Sequence, residues 1–213
     1  MSTHRYQVPA GPAAAEIEVK RSRFIAALEP VADEAAARSF IDGRRKAHHG
    51  ARHHCSAFIL GADRMTERSN DDGEPAGTAG APMLEAIRGS GVSDIVAVVT
   101  RYFGGTLLGA GGLSRAYGES MSAALAGMKT LVREEFSLFE LPVDHATAGR
   151  VEAELRHRRV LVRGVAYGAR AVLRLAVGAE ELGSLEQIVA AVTTGDGELT
   201  AVGTEWVTLP SGR

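Results

Sequence analysis

Side chains able to do chemistry gather in three places along this chain. The run A-H-H-G-A-R-H-H-C, residues 47–55, sets His48, His49, His53, His54 and Cys55 within eight positions. Imidazole and thiolate make a good zinc set, but this spacing matches no zinc finger. With 54–60 read as a strand, His53 and Cys55 share one face and His54 takes the other, so at most two ligands converge from it. The expectation is a surface loop of histidines beside a buried cysteine, with no metal.

The second place is S-N-D-D-G-E-P, residues 69–75, which carries Asp71, Asp72 and Glu74. Two carboxylates act as acid and base only when their surroundings push the two pKa values apart. Asn, Asp and Gly in this order are also turn formers, so the three acids are expected chiefly to organise their loop, with an acid–base role left open.

The third place is R-Y-F-G-G-T-L-L-G-A-G-G-L-S-R, residues 101–115. Gly104, Gly105, Gly109, Gly111 and Gly112 stand between a strand end and a helix start, where backbone N–H groups can converge on an anion. Arg101 and Arg115 add charge there, giving a candidate anion or nucleic-acid site. The alternative reading is packing, with the same glycines letting the helix lie close on its sheet. Arg101 ends a buried strand, so it must pair with an acid such as Asp72 or Glu74, or face a ligand. Neither G-x-x-x-x-G-K-[ST] nor G-x-G-x-x-G is present, and Ser114 lies in no G-x-S-x-G elbow, so no catalytic residue is assigned.

The elements that position these groups follow from periodicity. Residues 16–28 read as a strand with a break at Arg21 to Arg23, attributed to a bulge. Asp33 caps a helix that ends in Arg44, Arg45 and Lys46, charges that suit its dipole. Residues 54–60 form a strand, followed by a turn and an edge strand within 61–68. Pro82 marks the first turn of a helix carrying Met83, Leu84 and Ile87. The β-branched run 95–99 is a strand buried on both faces, and a helix covers 112–128.

Beyond Val132 the texture changes to strand 133–141, helix 146–158, strands 160–167 and 170–177, helix 179–192 and strand 200–209. That order is the βαββαβ ferredoxin-like plait. Tyr167 and Trp206 are the aromatics available to its sheet, and Trp206 in an alternating strand reads as core. Two domains, 1–130 and 131–213, are expected.

At 213 residues with a net charge of −2, the chain has material for two small cores and is no general coat for DNA or membrane. Charge is even along it, with 15 basic and 14 acidic residues up to Lys129 and 9 and 12 after it, so neither half is a basic arm. One cysteine cannot form an internal disulfide, and no apolar run reaches membrane length, so a cytoplasmic protein is expected. Only the first dozen residues read as disordered.

S-R-F-I-A, A-R-H-H-C, D-D-G-E-P-A-G-T-A-G and V-V-T-R-Y-F-G-G-T-L-L-G-A-G-G-L-S-R-A-Y-G together closely resemble the YigZ/IMPACT family. The resemblance implies an α+β protein whose first domain is like domain 2 of ribosomal protein S5. Its ferredoxin-like second domain would be similar to the late domains of elongation factor G. It also implies a link to translation or its regulation, with RNA, the ribosome or a translation factor as partner. Eukaryotic members restrain a starvation-responsive kinase through an additional N-terminal domain, so that activity is not carried over. Asn70 and Ser114 depart from the family's commonest pattern without touching the glycine and arginine framework. The function expected is non-catalytic binding at the glycine and arginine groove, without a cofactor. The alternative is a small enzyme holding a phosphorylated metabolite or nucleotide at the same loop.

Overall fold

The computed structural model describes residues 4–210. By its internal contacts the chain forms two compact units, one running to Val132 with Leu209 and Pro210, the other Arg133–Thr208.

The first unit is built on a five-stranded sheet in the order β2-β3-β6-β4-β5, from β2 (Ala13–Val19), β3 (Ser22–Pro30), β4 (His53–Leu60), β5 (Thr66–Asn70) and β6 (Ile95–Tyr102). All neighbours pair antiparallel. β6 is central, and its Ile95 to Val99 are entirely buried, as a β-branched run covered on both faces should be. Alternate residues divide the faces. Phe24, Cys55, Ile59, Ile95, Ala97 and Val99 pack under α2 (Gly80–Ser90) and α3 (Ala110–Ala126). Phe58, Leu60 and Val96 on the other face meet Ala36, Ala37, Phe40 and Ile41 of α1 (Glu34–Ala47). Phe24 and Tyr117 meet edge-on, with centroids 5.2 Å apart, in the larger cluster. Each such buried side chain contributes about 1.5 to 3 kcal/mol.

Asp33 caps α1 through its carboxylate on the Ala36 N–H at 2.7 Å, the role its position predicts. The break at Arg21 to Arg23 is a hairpin and not a bulge. Val19 pairs with Ser22, and Lys20 and Arg21 both take positive φ, the backbone of a two-residue type I′ turn. From residue 4 on, the first dozen residues also differ from expectation, since β1 (Arg5–Pro9) is a strand that buries Val8 and bridges Gln7 to Val92, while residues 1–3 lie outside the described residues.

The second unit follows β7 (Thr130–Val143), α4 (His145–His157), β8 (Leu161–Tyr167), β9 (Ala171–Val177), α5 (Leu182–Thr193) and β10 (Thr200–Pro210). β7 pairs with β9 and β10, and β9 with β8, so chain order one to four lies spatially as 4-1-3-2, the ferredoxin-like arrangement. Leu141, Leu173 and Leu175 of the sheet pack with Val151, Leu155, Leu185 and Val189 of the helices. Tyr167 is exposed and stacks on His145, while Trp206 is half-buried. The fold is thus α+β in two units. Among the described residues, no helix is long and apolar enough to cross a membrane.

Candidate functional site

β4 and β6 pair His53 with Arg101 at one end of the first sheet, and α2 and α3 both begin near that end. The loop 71–79 fills the space beside it, and each of its acids has a task. Asp71 accepts from the N–H groups of Gly77 at 2.8 Å, Ala79 at 3.0 Å and Gly80 at 2.7 Å. It therefore serves α2 as a cap from nine residues upstream, where Ala79 has no side chain to do so. Burial alone would raise the Asp71 pKa, but those three donors outweigh it and hold the carboxyl below its usual range.

Asp72 receives Arg45 Nη2 at 2.9 Å and the His54 N–H at 2.7 Å, tying α1 and β4 to the loop. Glu74 is buried, and its Oε1 accepts from Arg101 Nη1 at 2.7 Å and from the Tyr117 hydroxyl at 2.9 Å. The Arg101 guanidinium also lies over the rings of Phe24 and Phe103. Arg101 thus pairs inward with Glu74, and Asp72 belongs to Arg45.

Cys55 Sγ sits 3.0 Å from the Asp71 carbonyl and 3.2 Å from the Tyr117 hydroxyl. Burial pushes its thiol up to about 12, against a smaller lowering by Tyr117, and the acids Glu74, Asp72 and Asp71 push it further up. Burial, then Cys55 and Glu74, likewise raise the Tyr117 phenol. Among the described residues, no three His, Cys, Asp or Glu side chains gather as a metal set.

The glycines divide by what surrounds them. A Cβ on Gly104 would lie 2.1 Å from the Arg21 carbonyl carbon, so this residue seals the loop against the β2–β3 turn, where its N–H donates to Ser22 Oγ. Gly112 lies close to Leu108. Gly105 and Gly109 hold φ of 85° and 74°, and around them and Gly111 lies open space. Gly109 precedes α3, a 17-residue helix, with no side-chain cap, and Gly109, Ala110 and Gly111 are exposed at its start. Arg115 is exposed and has no ion pair among the described residues, and Arg21 reaches Thr106 Oγ1 at 3.1 Å. Phe103 and Leu107 are exposed on the same loop.

Two features lay outside the sequence reading. Arg44 donates to His48 Nε2 at 2.8 Å, which leaves the His48 proton on Nδ1, 3.0 Å from the Tyr102 hydroxyl. Burial first, then Arg44, His54 and Arg23, lower the His48 pKa. The second feature is a groove of about 330 Å³ between α1, β4 and β5, lined by Arg38, Arg45 and Arg68 among others. The seven-residue spacing of Arg38 and Arg45 places them on one helix face, but nothing in the sequence brings Arg68 to it.

A family model described as the Impact N-terminal domain matches residues 20–125. IMPACT family member YvyE of Bacillus subtilis (strain 168) is 39% identical over 190 residues, 87% of this chain and 88% of that protein. IMPACT family member YigZ of Escherichia coli (strain K12) is 38% identical over 197 residues, covering 92% and 97% of the two chains. A crystal structure of a hypothetical protein is similar with a TM-score of 0.65 at 37% identity, over 94% of this chain and 98% of that one.

Proposed function

This chain belongs to the IMPACT family, and we propose that it is a non-catalytic binding protein that grips RNA phosphates at the open start of α3, within translation or its regulation. The observation that carries this reading is the uncapped first turn of α3, with open space at Gly105, Gly109 and Gly111. A helix start carries roughly half a positive charge, and its free N–H groups suit a phosphate oxygen. The exposed Arg21 and Arg115 add full charges, while Asp71, Asp72 and Glu74 are held by internal donors and do not oppose an anion. Phe103 offers an exposed ring to an unpaired base. Three acids engaged in structural hydrogen bonds are poorly placed to shuttle protons, which favours binding over catalysis.

The test is fluorescence anisotropy of a short single-stranded RNA across a salt series. Few phosphates are engaged, so log K should fall against log salt with a slope on the order of −1 to −3. Arg115→Ala and Arg21→Ala should each reduce that slope by about one. Gly111→Glu, which sets a carboxylate in the first turn, should abolish the binding without unfolding the protein. Binding indifferent to all three changes defeats the proposal, as does salt-tolerant Mg²⁺–ATP binding in place of RNA.

A further inference from the structure

The groove between α1, β4 and β5 is a separate feature on the α1 face of the sheet, and its chemistry is one-sided. Arg38, Ile41, Asp42 and Arg45 form its helical wall, spaced so that they share one face. Ser56 and Phe58 of β4 make the floor, with Asn70 and Arg68 of β5 directly across from them in register. The side-chain donors are three guanidinium groups, the Ser56 hydroxyl and the Asn70 amide, while Ser69 pairs with Ala57 and turns its Cβ toward Gly80 of α2 on the other face. Asn70 Oδ1 already accepts from the Asp72 N–H, which leaves its NH₂ as the available group. Among the side chains that line it, only Asp42 carries negative charge.

Two of these donors lack partners of their own. Arg38 pairs with Glu34 and Arg45 with Asp72, but Arg68 bonds only to the backbone carbonyl of Glu67, whose carboxylate belongs to Arg88. Among the described residues Arg68 has no counter-charge. Ser56 is 5% exposed, lines the groove, and has no hydrogen-bond partner for its hydroxyl among the described residues. That hydroxyl is not among the buried polar atoms left without a partner, so it opens onto the groove and can bond to what enters.

We propose that this groove binds a phosphomonoester of a small organic molecule. Its phosphate is taken by Arg68, Arg45, Ser56 and Asn70, since guanidinium forks suit phosphate oxygens and the hydroxyl and amide supply further donors. The organic part lies over Ile41 and Phe58, and Asp42 accepts from one of its hydroxyl or amino groups. The volume is at the lower end of small-molecule sites, which fits a ligand of mononucleotide size. This site is independent of the α3 helix start.

The experiment follows amide signals of Ser56, Arg68, Ser69 and Asn70 in the ¹⁵N-labelled full chain during titration. The probes are inorganic phosphate, adenosine monophosphate, and a dinucleoside monophosphate that carries only a diester. Inorganic phosphate and the monoester should give saturable shifts, with the monoester tighter and the diester inert. Arg68→Ala should weaken the monoester roughly tenfold or more, with Arg68→Lys between, and Ser56→Ala should weaken it by a smaller factor. Arg115→Ala should leave it unchanged while reducing RNA affinity, so the two sites fail separately. The proposal is overturned by an absence of saturable shifts, by affinity that Arg68→Ala leaves intact, or by a monoester no tighter than free phosphate. Equal binding of the diester overturns it too and assigns the groove to a nucleic-acid backbone.

Discussion

Replacing Arg101 by methionine tests whether the guanidinium at the end of β6 is a structural counter-ion. Its side chain is 6% exposed and that of Glu74 is 3%, with a separation of 2.7 Å. In Arg101→Met the Glu74 carboxylate keeps the Tyr117 hydroxyl but loses its cation, and the nearest other one, a protonated His53, would stand 4.0 Å away. Removing one partner of such a buried pair costs about 3 to 5 kcal/mol. Glu74→Gln should cost a similar amount by stranding the guanidinium. The double variant should fall short of the sum of the two by about 1 to 3 kcal/mol, because it leaves neither charge unpaired. Urea unfolding followed by circular dichroism gives all four free energies, and unchanged m-values would show that the midpoints report stability. Single variants within about 1 kcal/mol of the parent, or strictly additive losses, would refute the pair as a structural element. So would an Arg101→Met protein that keeps its stability yet loses RNA.

Gly104→Ala should destabilise the first unit by several kcal/mol in thermal melts, since its methyl meets backbone at 2.1 Å, whereas Gly111→Ala, in open space within a helix, should stabilise by about 0.5 to 1 kcal/mol. His48 has a lowered pKa, so its neutral form is the one that folds, and stability should be full above pH ~6.5 and decline as pH falls toward the depressed value. His48→Gln should flatten that decline in urea midpoints between about pH 7 and 5, and an unchanged slope would contradict the Arg44–His48–Tyr102 arrangement. Cys55 is fully buried and its thiol is pushed up to about 12, so Ellman's reagent at pH 8 should react only after unfolding, and rapid labelling of the native protein would disprove the packing against Tyr117.

Much of the architecture was legible because strong local signals agreed with the tertiary result. The β-branched run of β6 has one reading, Asp33 precedes α1 as a cap should, and the βαββαβ order of the second unit followed from periodicity. The β2–β3 hairpin was missed because its turn uses Lys20 and Arg21 where such turns favour Asn and Gly, so the sequence carried no turn signal there. At the site, loop acids beside glycine were readable as organisers, but which acid meets which base depends on strand register and loop path. Asp71 caps α2, Asp72 takes Arg45 and Glu74 takes Arg101, a division that only three dimensions settle. The α1–β5 groove was beyond reach for the same reason, since Arg38 and Arg68 lie thirty residues apart.

β5 also sets how the molecule behaves in a crowd. It is the outermost strand of its sheet, five residues long, reading T-E-R-S-N with no apolar side chain. A short border carrying Glu67 and Arg68 offers a neighbouring chain little to zip onto, and the charges would have to shed water for no return. The rim of the α1 groove is therefore also a guard against fibril-like stacking, and replacing Arg68 or Asn70 with apolar residues would be expected to cost solubility as well as grip.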